Sequence, residues 1–124
     1  MINQSKILYV DDEGTNLFIF KELFKSYYQV ITSMTPMEAL EILEKESEIQ
    51  IVISDMSMPV MNGLEFIEQA KKKFPNKHYF ILTAYDINTE IASAIDNQLI
   101  KHCFQKPMDV KEISDEISNA LDAA

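Results

Sequence analysis

The chain has 124 residues, of which 47% are hydrophobic and 25% charged, so it is long enough for one domain with a real core and is not disordered. Its net charge of −9 opposes direct binding to nucleic acid or to anionic lipid, because both are negatively charged themselves. The single cysteine, Cys103, excludes an internal disulfide and a zinc site built from cysteines, and it is typical of a reducing compartment.

The chain shows no signal for a membrane span or for secretion. No apolar run approaches the ~20 residues that a membrane-spanning helix needs. The residues after Met1 are polar and do not form the apolar core of a signal peptide. We therefore expect a cytoplasmic protein, with residues 1–124 forming a single domain and with neither nucleic acid nor membrane as a partner.

Five short apolar runs, rich in β-branched and aromatic residues, predict strands that are covered on both faces. In chain order they are residues 6–10, 28–31, 51–54, 79–83 and 103–105. Apolar residues three and four apart predict a helix after each strand. These stripes are Leu17, Phe20 and Phe24; Ala39, Leu40 and Leu43; Gly63, Phe66, Ile67, Ala70 and Phe74; Ile91, Ala94 and Ile95; and Val110, Ile113, Ile117 and Leu121.

Two helix starts carry recognisable capping residues. Thr35 precedes Pro36 and predicts an N-cap with proline in the first helical position. Asp109 predicts the cap of the last helix. The resulting alternation of five strands with five helices predicts a parallel α/β sheet with right-handed crossovers and helices on both faces.

Polar residues stand at the carboxyl ends of four predicted strands. Asp11 and Asp12 follow the first strand, Asp55 follows the third, Thr83 ends the fourth, and Lys106 follows the fifth. In a doubly wound sheet these strand ends share one edge, which is the usual place for a ligand. The sequence therefore predicts that three carboxylates, a hydroxyl and an ammonium group converge there.

The residue types at this edge favour phosphoryl chemistry. Two carboxylates ~4 Å apart repel each other by roughly 4 kcal/mol at an effective dielectric of ~20, and Mg²⁺ relieves such repulsion with oxygen ligands. With a metal present, Asp55 can attack phosphorus and form an aspartyl phosphate. Lys106 would then pair with phosphoryl oxygens as a point charge, and Thr83 would donate a hydrogen bond.

Each of these residues also has an ordinary structural interpretation. Asp11 and Asp12 are typical helix caps, and Thr83 is typical of a hydroxyl that bonds to backbone at a strand end. Asp55 is compatible with a turn cap, and Lys106 with a surface charge. The occurrence of all of them at strand carboxyl ends favours the functional interpretation.

Over essentially its whole length, the chain resembles the receiver domain of two-component response regulators. The resemblance is carried by Asp11 and Asp12, by the segment from Asp55 to Gly63, by Thr83 with Ala84, and by Lys106 with Pro107. It implies a flavodoxin-like, doubly wound (βα)5 fold whose five-stranded parallel sheet has strand order 2-1-3-4-5. It also implies a cis peptide bond between Lys106 and Pro107.

The resemblance further implies phosphorelay signal transduction. Asp55 would accept a phosphoryl group from a phosphohistidine of a sensor histidine kinase or a histidine phosphotransfer protein. Mg²⁺ would be bound by Asp12, Asp55 and the backbone carbonyl of Ser57, with Asp11 acting mainly through water, while Thr83 and Lys106 contact the phosphoryl group. The domain would not be an enzyme beyond Mg²⁺-dependent self-phosphorylation and self-dephosphorylation.

Phosphorylation would switch a partner-binding surface for an output domain or a downstream protein, in a monomer or a weak dimer. One position of this switch departs from the family. Cys103 stands three residues before the lysine, where a receiver usually has Tyr or Phe. Phe104 is adjacent but faces the other side of the strand. His102 or Tyr85 could occupy the inward space instead.

The same residues disfavour three other functions. A phosphorylation-independent pseudo-receiver is the alternative, although such modules usually lose the acceptor Asp, an acidic residue or the lysine, and all of these are present here. A metal-dependent phosphatase or hydrolase would need a further acid or base, or a cap insertion for which the chain is too short. Flavin or nucleotide binding is disfavoured, because the first turn, from Asp11 to Gly14, is acidic and would repel phosphate in the absence of a metal.

Overall fold

The structure is a computed structural model that describes residues 4–122, where five strands and five helices alternate along the chain. The strands are β1 (Lys6–Val10), β2 (Gln29–Ser33), β3 (Ile49–Asp55), β4 (His78–Thr83) and β5 (His102–Gln105). The helices are α1 (Gly14–Phe24), α2 (Pro36–Lys45), α3 (Gly63–Lys73), α4 (Thr89–Asp96) and α5 (Val110–Asp122).

All five strands are parallel and form one sheet in the order β2-β1-β3-β4-β5, which confirms the predicted doubly wound, flavodoxin-like fold. Successive residues of β1 face opposite sides of this sheet. Ile7 and Tyr9 pack with α1 and α5, whereas Leu8 and Val10 pack with α2, α3 and α4. The core therefore lies in two layers, one on each face, and both faces are covered as the apolar runs predict.

Strands β4 and β5 each begin one residue earlier than predicted, whereas β2 and β3 differ by two residues at one end, for physical reasons. The pattern predicts residues 28–31, but β2 is an edge strand that pairs only with β1, so its carboxyl end tolerates polar residues through Ser33. The pattern predicts residues 51–54, whereas β3 is longer at both ends. Exposed Gln50 interrupts its apolar run, and the register with β1 shifts at the same place.

The predicted helix caps are confirmed. Thr35 accepts a hydrogen bond from the Glu38 amide at 3.1 Å, and Asp109 accepts one from the Glu112 amide at 3.1 Å. The start of α3 carries a cap that the sequence analysis missed. Asn62 Oδ1 accepts from the Glu65 amide at 2.9 Å, and Glu65 Oε1 accepts from the Asn62 amide at 2.8 Å, which makes a reciprocal capping box.

Gly63 lets α3 begin directly against the end of β3. Its amide donates to the Met56 carbonyl at 2.8 Å, and a Cβ at this position would lie 2.3 Å from the Asp55 carbonyl oxygen. Only glycine fits this approach, which fixes the loop that follows Asp55. Within residues 4–122, no helix has the length and apolar character needed to span a bilayer.

Candidate functional site

Three carboxylates meet at the carboxyl edge of the sheet. Asp11 and Asp12 follow β1, and Asp55 ends the neighbouring strand β3. One oxygen from each of the three lies within 4.8 Å of the others. Asp11 is fully buried, Asp55 is 8% exposed, and Asp12 is half-buried. The parallel pairing of β1 with β3 brings the three together, as expected from their places at the strand ends.

Lys106 joins two of these carboxylates. Its Nζ lies 3.3 Å from Asp11 Oδ2 and 3.4 Å from Asp55 Oδ1. Its amide donates to the Thr83 carbonyl at 2.7 Å, and its peptide bond to Pro107 is cis, as the resemblance implies. Lys106 therefore enters the acidic cluster from the end of β5, with its backbone anchored to β4.

Thr83 and Ser57 lie at the same edge of the sheet, where β4 ends and just after β3. Thr83 is buried at the end of β4, and its Oγ1 accepts a hydrogen bond from the Tyr85 amide at 3.2 Å. The backbone bond expected of a strand-end hydroxyl is thus present, and it leaves the hydroxyl proton free to be donated elsewhere. Ser57 is exposed in the loop two residues after Asp55.

Tyr9 is a site residue that the sequence analysis missed. Its hydroxyl donates to Asp11 Oδ2 at 2.6 Å, while Asp11 Oδ1 accepts from the Glu13 amide at 3.0 Å. Burial, together with the bond to Asp11, raises the pKa of the Tyr9 hydroxyl far above its ordinary value, so it stays a donor. Its signal in the sequence is the spacing of two, because residues i and i+2 of a strand share a face.

The electrostatics of the cluster disfavour negative charge on Asp55. Burial, and then the neighbouring charge of Asp11, raises the pKa of Asp55 to about 6, although Lys106 opposes the shift. Burial also disfavours charge on Lys106, but Asp55 and Asp11 outweigh it, and the pKa of Lys106 is raised. One ammonium group thus compensates only part of the charge of three carboxylates, and these hard oxygen donors fit a divalent cation such as Mg²⁺.

Cys103 and Phe104 lie on opposite sides of the sheet, as the alternation along β5 predicts. Cys103 is 4% exposed among the residues of the α2, α3 and α4 layer, whereas Phe104 stacks on Phe80 in the α1 and α5 layer. His102 lies 3.6 Å from Glu112 of α5, and Tyr85 is 69% exposed. In this structure, neither ring therefore takes the inward place beside Cys103.

Comparison with known proteins agrees with this geometry. Residues 7–118 match the response regulator receiver domain family. The chain is 34% identical over 122 residues to sporulation initiation phosphotransferase F of Bacillus subtilis, covering 98% of this chain and 96% of that one.

Solved receiver structures superpose over most of the chain. A response regulator receiver domain protein from Clostridium thermocellum has a TM-score of 0.89 at 30% identity, covering 96% of this chain and 95% of that one. The response regulator protein TrrA from Thermotoga maritima was solved in complex with Mg²⁺ and BeF. It has a TM-score of 0.80 at 26% identity, covering 94% of this chain and 99% of that one. In family terms, this is a signalling module of phosphorelays rather than a conventional enzyme. The chain belongs to the response regulator receiver domain family.

Proposed function

We propose that Asp55 is the phosphoacceptor of this receiver and that its phosphorylation requires Mg²⁺. The observation that carries the proposal is the placement of the Asp55 carboxylate at the end of β3, between the Lys106 ammonium group and the acidic pair that follows β1. A nucleophile in this position is held by a rigid strand end and has a cation beside it for the charge that an incoming phosphoryl group brings.

In the proposed reaction an Asp55 oxygen attacks the phosphorus of a phosphohistidine. A P–O bond to Asp55 forms, the P–N bond breaks, and its electron pair stays on the imidazole nitrogen of the donor. Lys106 turns from the carboxylates to a phosphoryl oxygen, and Thr83 donates its hydroxyl proton to another. The donor is a sensor histidine kinase or a histidine phosphotransfer protein, in keeping with the phosphotransferase relative.

We assign the Mg²⁺ site to Asp12, Asp55 and the backbone carbonyl of Ser57, with Asp11 acting through water. The bound ion would neutralise charge between the carboxylates and the phosphoryl oxygens. The indirect role of Asp11 is supported by its hydrogen bonds, because both of its oxygens already accept from protein donors. The complex of the relative TrrA with Mg²⁺ and BeF supports the same pairing of metal and phosphoryl group.

We also propose how the protein acts as a whole. Residues 1–124 form one domain, which acts in the cytoplasm as a monomer or a weak dimer. Its only chemistry is self-phosphorylation and self-dephosphorylation. The phosphorylated state presents a changed surface to an output domain or a downstream protein. Thr83 and Cys103 are the switch positions, with a buried thiol where an aromatic ring usually stands.

The test is incubation of the protein with Mg²⁺ and acetyl phosphate, followed by intact-mass measurement. We expect one phosphoryl group on the wild-type chain, and none on Asp55→Asn or in the presence of EDTA. Asp115→Asn is the matched control, since Asp115 is an exposed carboxylate on α5 that pairs with Lys111 at 2.9 Å. A wild-type chain that stays unmodified would instead support the phosphorylation-independent pseudo-receiver.

A further inference from the structure

Tyr9 places a hydroxyl group inside the acidic cluster from the middle layer of the protein. It is the fourth residue of β1 and faces the side of the sheet that α1 and α5 cover. Its side chain is 0% exposed. Its ring stacks on Phe20 of α1 with a centroid distance of 4.3 Å and an angle of 18° between the planes. The ring is therefore held in place by packing, and its hydroxyl has a fixed direction.

That hydroxyl shares its acceptor with the lysine of the site. Asp11 Oδ2 accepts from Tyr9 at 2.6 Å and is also the oxygen that lies 3.3 Å from Lys106 Nζ. Asp11 is 0% exposed, so bulk water cannot replace a lost donor. Among residues 4–122, every buried side-chain nitrogen or oxygen has a hydrogen-bond partner. The partners of the Asp11 carboxylate are Tyr9, Lys106 and the Glu13 amide.

Phosphorylation makes conflicting demands on Lys106. In this structure, Lys106 is divided between Asp11 and Asp55. In the proposed reaction, Lys106 leaves Asp11 when it turns to a phosphoryl group on Asp55. A buried carboxylate oxygen that loses its donor becomes less stable, and this loss opposes the movement of the lysine.

We propose that Tyr9 is a positioning residue that keeps Asp11 Oδ2 hydrogen-bonded after Lys106 has turned to the phosphoryl group. The inference rests on the proposed function and adds a residue to it. A neutral hydroxyl suits this role, because it satisfies the oxygen without adding a positive charge that would repel Mg²⁺. The bond is short and charge-assisted, which makes it one of the stronger types of hydrogen bond in proteins.

The experiment compares the wild-type chain with Tyr9→Phe by titrating beryllofluoride, a phosphoryl mimic, at saturating Mg²⁺, with amide chemical shifts as the readout. Loss of one bond to a charged group predicts an affinity about tenfold lower in Tyr9→Phe. The affinity for Mg²⁺ alone should fall by clearly less, because Lys106 need not leave Asp11 for the metal. Equal beryllofluoride affinity in the two proteins would overturn the inference.

Tyr79→Phe is the matched control. Tyr79 is also a buried strand tyrosine, and its hydroxyl donates to the Phe74 carbonyl at 2.8 Å, on the opposite layer of the sheet. This variant loses a partly buried hydrogen bond of similar length that does not reach the cluster. We expect a comparable loss of thermal stability with unchanged beryllofluoride affinity. An equal loss of affinity in Tyr79→Phe would reduce the role of Tyr9 to general packing.

A double-mutant cycle separates the hydrogen bond from packing of the ring. In an Asp11→Asn background the acceptor carries no charge, so Tyr9→Phe should change beryllofluoride affinity by much less than tenfold. Persistence of the full effect would contradict the inference. If the wild-type chain itself binds no beryllofluoride and is not phosphorylated, the proposed function fails as well. If it does both and Tyr9→Phe does so equally, only the role of Tyr9 fails.

Discussion

The carboxylate of Asp55 is held where its own charge is unfavourable. It is buried, it faces the charge of Asp11, and Lys106 is shared between the two. Reactive groups in active sites are commonly kept in such unfavourable states, because the structure around them fixes their position. The sequence predicted which residues converge here, but not the sharing of Lys106 or the contact from Tyr9. Both depend on side-chain directions that spacing alone does not determine.

We expect Asp55→Asn to stabilise the metal-free protein at neutral pH. Folding raises the pKa of Asp55 from 3.8 to about 6, so the folded state favours the protonated carboxyl group. The stability that this group contributes is fully present below pH 3.8 and is lost as pH rises through about 6. Above that range the asparagine variant should unfold with a free energy larger by up to about 3 kcal/mol. Urea unfolding in EDTA at several pH values measures this difference, which should shrink as pH falls and vanish well below pH 3.8. A constant difference would contradict the raised pKa.

Gly63→Ala should destabilise the protein strongly. The new methyl group would meet the Asp55 carbonyl oxygen at 2.3 Å and Ile81 Cδ1 at 2.8 Å, and backbone of a buried strand cannot give way cheaply. We expect a cost of about 3 kcal/mol or more, measured by urea unfolding. Gly14→Ala is the matched control, because a Cβ there has nothing within 4 Å and should be neutral or slightly stabilising.

The sequence predicts the helices of this protein more reliably than the bounds of its strands. Helix stripes predicted all five helices, because each buries one face against the sheet. The predicted strand bounds were less accurate where a strand lies at the edge of the sheet or where its pairing is irregular. The edge position of β2 and the register shift in β3 are such departures, and both depend on neighbouring strands rather than on local residues. A one-dimensional apolar pattern cannot show either.

The capping box at the start of α3 should contribute measurable stability. Asn62→Ala removes the acceptor for the Glu65 amide and should cost about 1 kcal/mol in thermal or urea unfolding. Asn62→Asp keeps an acceptor in the same place, near the positive end of the helix dipole, and should keep wild-type stability. Equal losses in both variants would show that the amide group of Asn62, rather than the cap, matters.

At the scale of the whole molecule, the site is a product of topology. The doubly wound order places β1 beside β3, and only then do Asp11, Asp12 and Asp55 become neighbours. Apolar runs predict the number of strands and their parallel direction, but not their order. That order came from the resemblance to receiver domains, carried by motifs that span the chain. Fold and site were therefore predicted together, and neither rested on hydrophobic pattern alone.

Mg²⁺ should raise the thermal stability of the whole domain, because a metal that binds only the folded state stabilises it by mass action. At a concentration 100-fold above its Kd, the gain is about 2.7 kcal/mol. For a chain of this size, that corresponds to a melting temperature higher by roughly 10 °C. Asp12→Asn should lose most of the shift and Asp115→Asn none. Sodium chloride at matched ionic strength controls for screening of the net charge of −9.

The thiol of Cys103 can be used to follow openings of the protein without an engineered label. It is the single cysteine of the chain, it lies 4% exposed beside α4, and burial raises its pKa to about 11. A thiol reagent should therefore attach mainly while the layer that covers Cys103 opens. The rate of labelling, measured by mass spectrometry, shows how often these openings occur. Compared between the resting and the phosphorylated chain, it measures whether the modification at one end of the sheet loosens or tightens this layer.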